Sequence, residues 1–177
     1  MSTDGHHAHV TPIDVLRRQH DEYRHGADRP LTGYLGLLAT YGTLTAAATA
    51  TIARRGRLAR RVGLTDLALL AVTTFRISRL ITKDSVTGAV RAPFTEYKEA
   101  AGEGEVNEEV RGGTGWRHAV GELVTCPFCL GQWVATAATT GMYLAPDVTR
   151  FAGTICATGV ASDLFQLGWS SAKEALG

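Results

Sequence analysis

Cysteine is scarce. Cys126, Cys129 and Cys156 are all that 177 residues contain, an odd number too small for the disulfide framework that staples small secreted domains. An excess of either charge is also missing. Lys and Arg number 18 against 17 Asp and Glu, a net charge of +1, so no global field draws nucleic acid, and none is expected as a partner. Residues 1–30 are too polar to contain the apolar core of a secretory signal peptide. Gly112-Gly113-Thr114-Gly115 lacks the strand and helix that a phosphate-binding loop requires.

Charge is missing locally too, and that absence organises the chain. Residues 32–53, 62–82, 128–145 and 150–169 are largely uncharged, and 32–53 and 128–145 hold no charged residue at all. Each stretch approaches the roughly 20 residues that cross a hydrocarbon core of about 30 Å. Their richness in Ala, Thr and Gly leaves a water-soluble bundle as the alternative, but a soluble helix of that length normally carries a charged face. The expected fold is therefore all-α: an integral membrane bundle of about four apolar helices with one long polar loop, multi-pass in the cell membrane. The lipid bilayer is its first expected partner, with another membrane protein or a second copy as the next.

In chain order, 1–30 is a polar tail holding His6, His7, His9, His20 and His25. A flexible tail explains these histidines better than a metal site, because no second ligand group stands at fixed spacing. Residues 31–61 add an apolar helix and a basic loop. Arg54, Arg55, Arg57, Arg60 and Arg61 read as contacts to anionic lipid phosphate. Residues 62–171 form the main helical membrane domain. Within it Arg76, Arg79 and Lys83 share one helical face. Asp163, the single acid inside its apolar stretch, needs a cation, and Arg76 or Arg79 is the natural partner. Residues 83–125 are the long connection. Glu96, Glu99, Glu103, Glu105, Glu108 and Glu109 are interleaved there with glycine, which reads as a solvated, mobile loop over 95–117. Counts of flanking cations give opposite topologies by total and by shortest loop. A cytoplasmic N-terminus also places Arg76 and Arg79 on the cytoplasmic side.

The chain carries Phe75-Arg76-Ile77-Ser78-Arg79-Leu80-Ile81, then Asp84, then Arg91-Ala92-Pro93-Phe94. Further on stands Gly121-Glu122-Leu123-Val124-Thr125-Cys126-Pro127-Phe128-Cys129-Leu130-Gly131-Gln132-Trp133. In that order and spacing, these segments resemble a family of small bacterial membrane proteins known as domain of unknown function 1360, some of whose members are linked to sporulation. The likeness covers roughly residues 64–170. It implies three helices, so that 32–53 and the histidine tail are additions, and it implies no particular activity.

The cysteine pair marks the likeliest chemistry. Thr125 can cap the following helix and Pro127 sits in its first turn. Both sulfurs then lie near a helix N-terminus, which favours thiolate, more so for Cys126. Cys126-Pro127-Phe128-Cys129 also looks like the glutaredoxin tetrapeptide, although no strand–helix alternation surrounds it. Three roles fit: packing of a helix start, a redox pair with Cys126 as nucleophile and Cys129 as resolving thiol, or a zinc site with His118 as third ligand. With no cofactor motif in sight, the expected function is a non-enzymatic membrane scaffold or partner-binding subunit. The alternative is a membrane-embedded thiol redox or metal-binding protein using Cys126 and Cys129.

Overall fold

The computed structural model describes residues 11–24, 29–102, 104–112 and 115–176. The histidines at 6, 7, 9 and 25 lie outside the described residues. Seven helices and one hairpin follow in order: α1 (Pro12–Arg24), α2 (Leu31–Arg54), α3 (Leu64–Thr82), α4 (Gly88–Arg91), β1 (Thr95–Gly102), β2 (Glu105–Val110), α5 (Trp116–Thr125), α6 (Pro127–Leu144) and α7 (Pro146–Leu176). Helix α3 is central, packed against both α6 and α7, while α2 lies on α5 and α6.

Proline sets the two sharpest boundaries. A residue preceding proline is pushed out of the helical region, and proline itself suits the first helical position. Cys126 (φ −105°, ψ 107°) and Ala145 (φ −143°, ψ 67°) are the single non-helical residues before Pro127 and Pro146. The chain thus breaks α5 from α6, and α6 from α7, with one residue at each joint.

The fold is not all-α, and a four-helix membrane bundle with one long loop is not what forms. Strands β1 and β2 pair antiparallel, Thr95 opposite Val110 and Gly102 opposite Glu105. Gly102 (φ +93°) and Gly104 (φ +81°) supply the left-handed backbone of the reversal. The stretch 95–117 expected to be a loop instead forms two paired strands, and its last two residues open α5. Its glutamates misled because the hairpin does not depend on a core of its own. Its tip docks on the end of α3, where Val106 N donates to Lys83 O at 2.9 Å and Ser85 N to Gly104 O at 3.0 Å. Among the described residues, only α2 is long and apolar enough to cross a membrane. Arg76 and Arg79 interrupt α3, Arg150 and Asp163 interrupt α7, and Thr, Gly and Gln132 dilute α6.

The interior is small. Among the described residues, Ile52, Leu70, Ala119 and Met142 are the buried hydrophobic residues, and Thr73, Ser78, Thr82, Arg91 and Thr95 are buried too. Helices approach through glycine. A β-carbon at Gly153 of α7 would lie 2.7 Å from Leu69 Cγ and 2.9 Å from Thr73 Oγ1 of α3. Gly153→Ala should therefore force the two helices apart and cost about 1–3 kcal/mol, the usual scale of overpacking. Thermal unfolding in detergent tests this, with Gly36→Ala as control because its β-carbon would meet nothing within 4 Å. Equal melting temperatures for the two variants would show that the α3–α7 contact is loose.

Candidate functional site

The hairpin is fastened by one guanidinium. Arg91, at the end of α4, retains 1% of its side-chain exposure and Glu108 of β2 retains 8%. Arg91 Nε donates to Glu108 Oε2 and Nη2 to Oε1, each at 2.8 Å. Its remaining hydrogens go to Ile81 O (2.7 Å), Thr87 Oγ1 (2.7 Å) and Asp84 O (3.0 Å). All five N–H donors are used. The Arg91 guanidinium outweighs partial burial and holds the Glu108 carboxyl below its ordinary range.

Beside this joint, α3, α7 and the hairpin tip enclose a cleft of about 530 Å³. Two ion pairs line it. Arg76 Nη1 meets Asp163 Oδ2 at 2.6 Å. Arg79 does not reach Asp163 but grips Glu105, with Nε at 3.0 Å and Nη2 at 2.6 Å from Oε1. Phe75, below the Arg79 guanidinium at 5.8 Å, and Leu80, Val160, Leu164 and Leu167 form the apolar walls. Of the two arginines offered as partners for Asp163, Arg76 takes it, and Arg79 takes Glu105 because the hairpin supplies a second acid.

At the α5–α6 joint, Cys126 rather than Thr125 is the N-cap. Cys126 Sγ accepts the Cys129 N–H at 3.2 Å, while Thr125 Oγ1 turns back to donate to Gly121 O at 2.9 Å. Burial pushes the Cys126 thiol up. Hydrogen bonds from the Cys129 thiol and from the Cys129 and Phe128 amides outweigh it and leave Cys126 below its ordinary value. That same Cys126 contact, with burial and the Glu122 charge, raises Cys129 to about 11. His118 does not join the sulfurs in a ligand set: its Nε2 lies 3.6 Å from Glu122 Oε1, and its buried Nδ1 has no hydrogen-bond partner. Glu122 is also bonded by the Tyr34 hydroxyl of α2. Among the described residues, no three His, Cys, Asp or Glu side chains gather closely enough to hold a metal ion. Cys126 and Cys129 are two donors where a structural zinc needs four.

The basic loop divides. Arg57 donates to the terminal carbonyls of α6, Tyr143 O at 3.2 Å and Leu144 O, satisfying orphan acceptors at a helix C-terminus. Arg54, Arg55 and Arg61 are exposed and Arg60 is half-buried. Arg150, at the start of α7, clamps Asp66 of α3 with both oxygens, at 2.8 and 2.9 Å.

These features define a helical protein whose helix ends and single hairpin are joined by arginine. The sequence model of the family described as protein of unknown function (DUF1360) matches residues 69–169, and the chain belongs to that family. It is similar to the sporulation protein YjcA of Bacillus subtilis (strain 168), 40% identical over 76 residues, which are 41% of this chain and 63% of that protein. The chain thus spans under two thirds of that relative's length. No solved structure matches it.

Sequence reasoning missed Glu105, Glu108 and the Asp66–Arg150 clamp. A weak signal was available: Val106 and Val110 stand four residues apart among polar residues after Gly102 and Gly104, the spacing of one covered face of a strand. Breaking a buried pair by removing one partner typically costs about 3–5 kcal/mol, whereas a half-exposed pair is worth about 0–1 kcal/mol. Arg91→Met should therefore destabilise far more than Asp163→Asn, whose pair keeps 36% and 45% of its exposure. Because Glu108 titrates below its unfolded value, its contribution is complete above the unfolded carboxyl pKa of about 4.3 and fades as pH falls through the folded one. Melting curves from neutral to acid pH should show that loss in the native chain and a smaller loss in Arg91→Met. Parallel curves would remove Arg91–Glu108 from the account of acid sensitivity.

Proposed function

We propose that this chain is a membrane-attached subunit that presents an ordered surface to a protein partner. Its distribution of hydrophobic residues carries the reading. Four hydrophobic residues are buried among the described residues, whereas 24 large ones are exposed, from Leu35 and Leu38 on α2 to Phe151, Ile155, Phe165 and Trp169 on α7. Monomeric proteins in water rarely leave so many large apolar side chains exposed against so few buried. Helix α2 carries no charge before Arg54, and 6% of its most apolar 18-residue window is buried. It suits the hydrocarbon, with Arg54, Arg55, Arg60 and Arg61 against anionic headgroup phosphates immediately beyond it. The exposed face of α7 is then left for another membrane protein or a second copy. Nothing in this arrangement calls for nucleic acid. The relative's involvement in sporulation, stated in its name, gives a setting in which such a subunit would act.

Alkaline carbonate extraction of membranes from cells making the full chain tests the attachment. The native chain should stay in the pellet, and Leu38→Lys with Leu44→Lys should move it toward the supernatant, since each lysine at a helix centre costs about 2.5–3.5 kcal/mol of insertion. Native protein recovered folded and monomeric without detergent would overturn membrane attachment. Retention of the double variant would overturn α2 as the anchor.

A further inference from the structure

We infer that Cys126 and Cys129 form a dithiol site that exchanges with disulfide substrates, with Cys126 as the attacking sulfur and Cys129 as the resolving one. The placement comes from the joint itself. Cys126 is the one residue between α5 and α6, and its extended backbone swings the sulfur over the start of α6. There it takes the Cys129 amide hydrogen at 3.2 Å, so the sulfur next to Cys129 is the one facing orphan N–H groups. Cys129 is exposed, and Phe128 between the two keeps 91% of its exposure, so a substrate can approach. The charges around the pair differ in sign: Lys83, from the end of α3, acts on Cys126, and Glu122 acts on Cys129. Positive charge from Lys83 favours thiolate at Cys126, and the Glu122 carboxylate favours thiol at Cys129. Thiolate over thiol is the pairing that a nucleophile and a resolving group need. Cys156 sits within α7 and takes no part.

The exchange balances without a cofactor. The Cys126 thiolate attacks a disulfide R–S–S–R, forming a mixed disulfide and releasing one thiolate. Cys129 gives its proton to that thiolate and attacks the Cys126 sulfur. The Cys126–Cys129 disulfide forms and the second thiolate leaves. The dithiol is oxidised by two electrons and R–S–S–R is reduced to two thiols.

The test uses the reduced full chain in detergent at neutral pH, glutathione disulfide as probe, and peptide mass mapping as readout. The native chain should lose two hydrogens across Cys126–Cys129, and added reduced glutathione should reverse the change. Cys129→Ser should accumulate glutathione on Cys126, whereas Cys126→Ser should acquire it on Cys129 at least tenfold more slowly. Equal rates for the two variants, modification confined to Cys156, or no intramolecular bond in the native chain would each overturn the inference. So would thiols that stay protected until a chelator is added, because that outcome assigns the pair to a metal.

Discussion

A guanidinium taken almost entirely out of water is tolerable only when every hydrogen has an acceptor. Arg91 meets that condition through three pieces of chain at once: the last turn of α3, the turn at Asp84–Thr87, and β2. The hairpin's position is consequently not free. Moving β2 away by one register would withdraw Glu108 and leave a buried cation with three carbonyl and hydroxyl acceptors and no countercharge. Once Glu108 is fixed, Glu105 is fixed three residues before it and comes within reach of Arg79. The cleft between α3, α7 and the hairpin tip then follows from one buried pair and the spacing of two glutamates.

Arginine does similar work elsewhere, at lower stakes. Arg57 closes the end of α6, Arg150 ties the start of α7 to the start of α3, and Arg117 reaches Pro93 O. These side chains are partly exposed, so each contributes modestly. Their common value is geometric. A planar fork specifies direction as well as distance, which suits a chain whose helices meet through glycine and threonine rather than through large interlocking side chains. Gly33 against Ala119 and Gly153 against Leu69 allow close approach, but smooth surfaces slide. The arginine clamps stop the sliding.

The long helices were legible in the sequence because uncharged runs and prolines mark them directly, whereas α4 and α5 lie inside the stretch 83–125 that was read as a connection. The apolar stretch 32–53 emerged as α2, and the break before Pro146 fell where the residue preceding proline requires it. The hairpin was not legible by the same means. Glutamate content predicts solvation only when the carboxylates face water, and two of these face arginines brought from elsewhere in the chain. Nor did length alone identify spanning helices. Segments 62–82 and 150–169 have the length, yet Arg76, Arg79 and Asp163 place charge well inside them. The Arg76–Asp163 contact was readable because two charges isolated in apolar surroundings have few other partners. Arg79 went to Glu105 because a long-range element, invisible to local reasoning, offered a bidentate acceptor.

The cysteine joint shows how local chemistry and global packing meet. Proline at 127 forces Cys126 out of the helix, and that alone brings its sulfur over the N–H groups of the next turn. A serine or aspartate there would cap equally well, so capping does not account for sulfur at this position. Packing does not account for it at Cys129, which is exposed. The surroundings also differ between the two sulfurs: amide hydrogens and Lys83 act on Cys126, and Glu122 on Cys129. Glu122 is in turn held by Tyr34 of α2 and lies near His118 one turn back on α5. Helix α2 thus reaches the surroundings of the thiol pair through Tyr34 on Glu122, and it meets α6 directly through Tyr41, which contacts Gln132, Thr136 and Trp133.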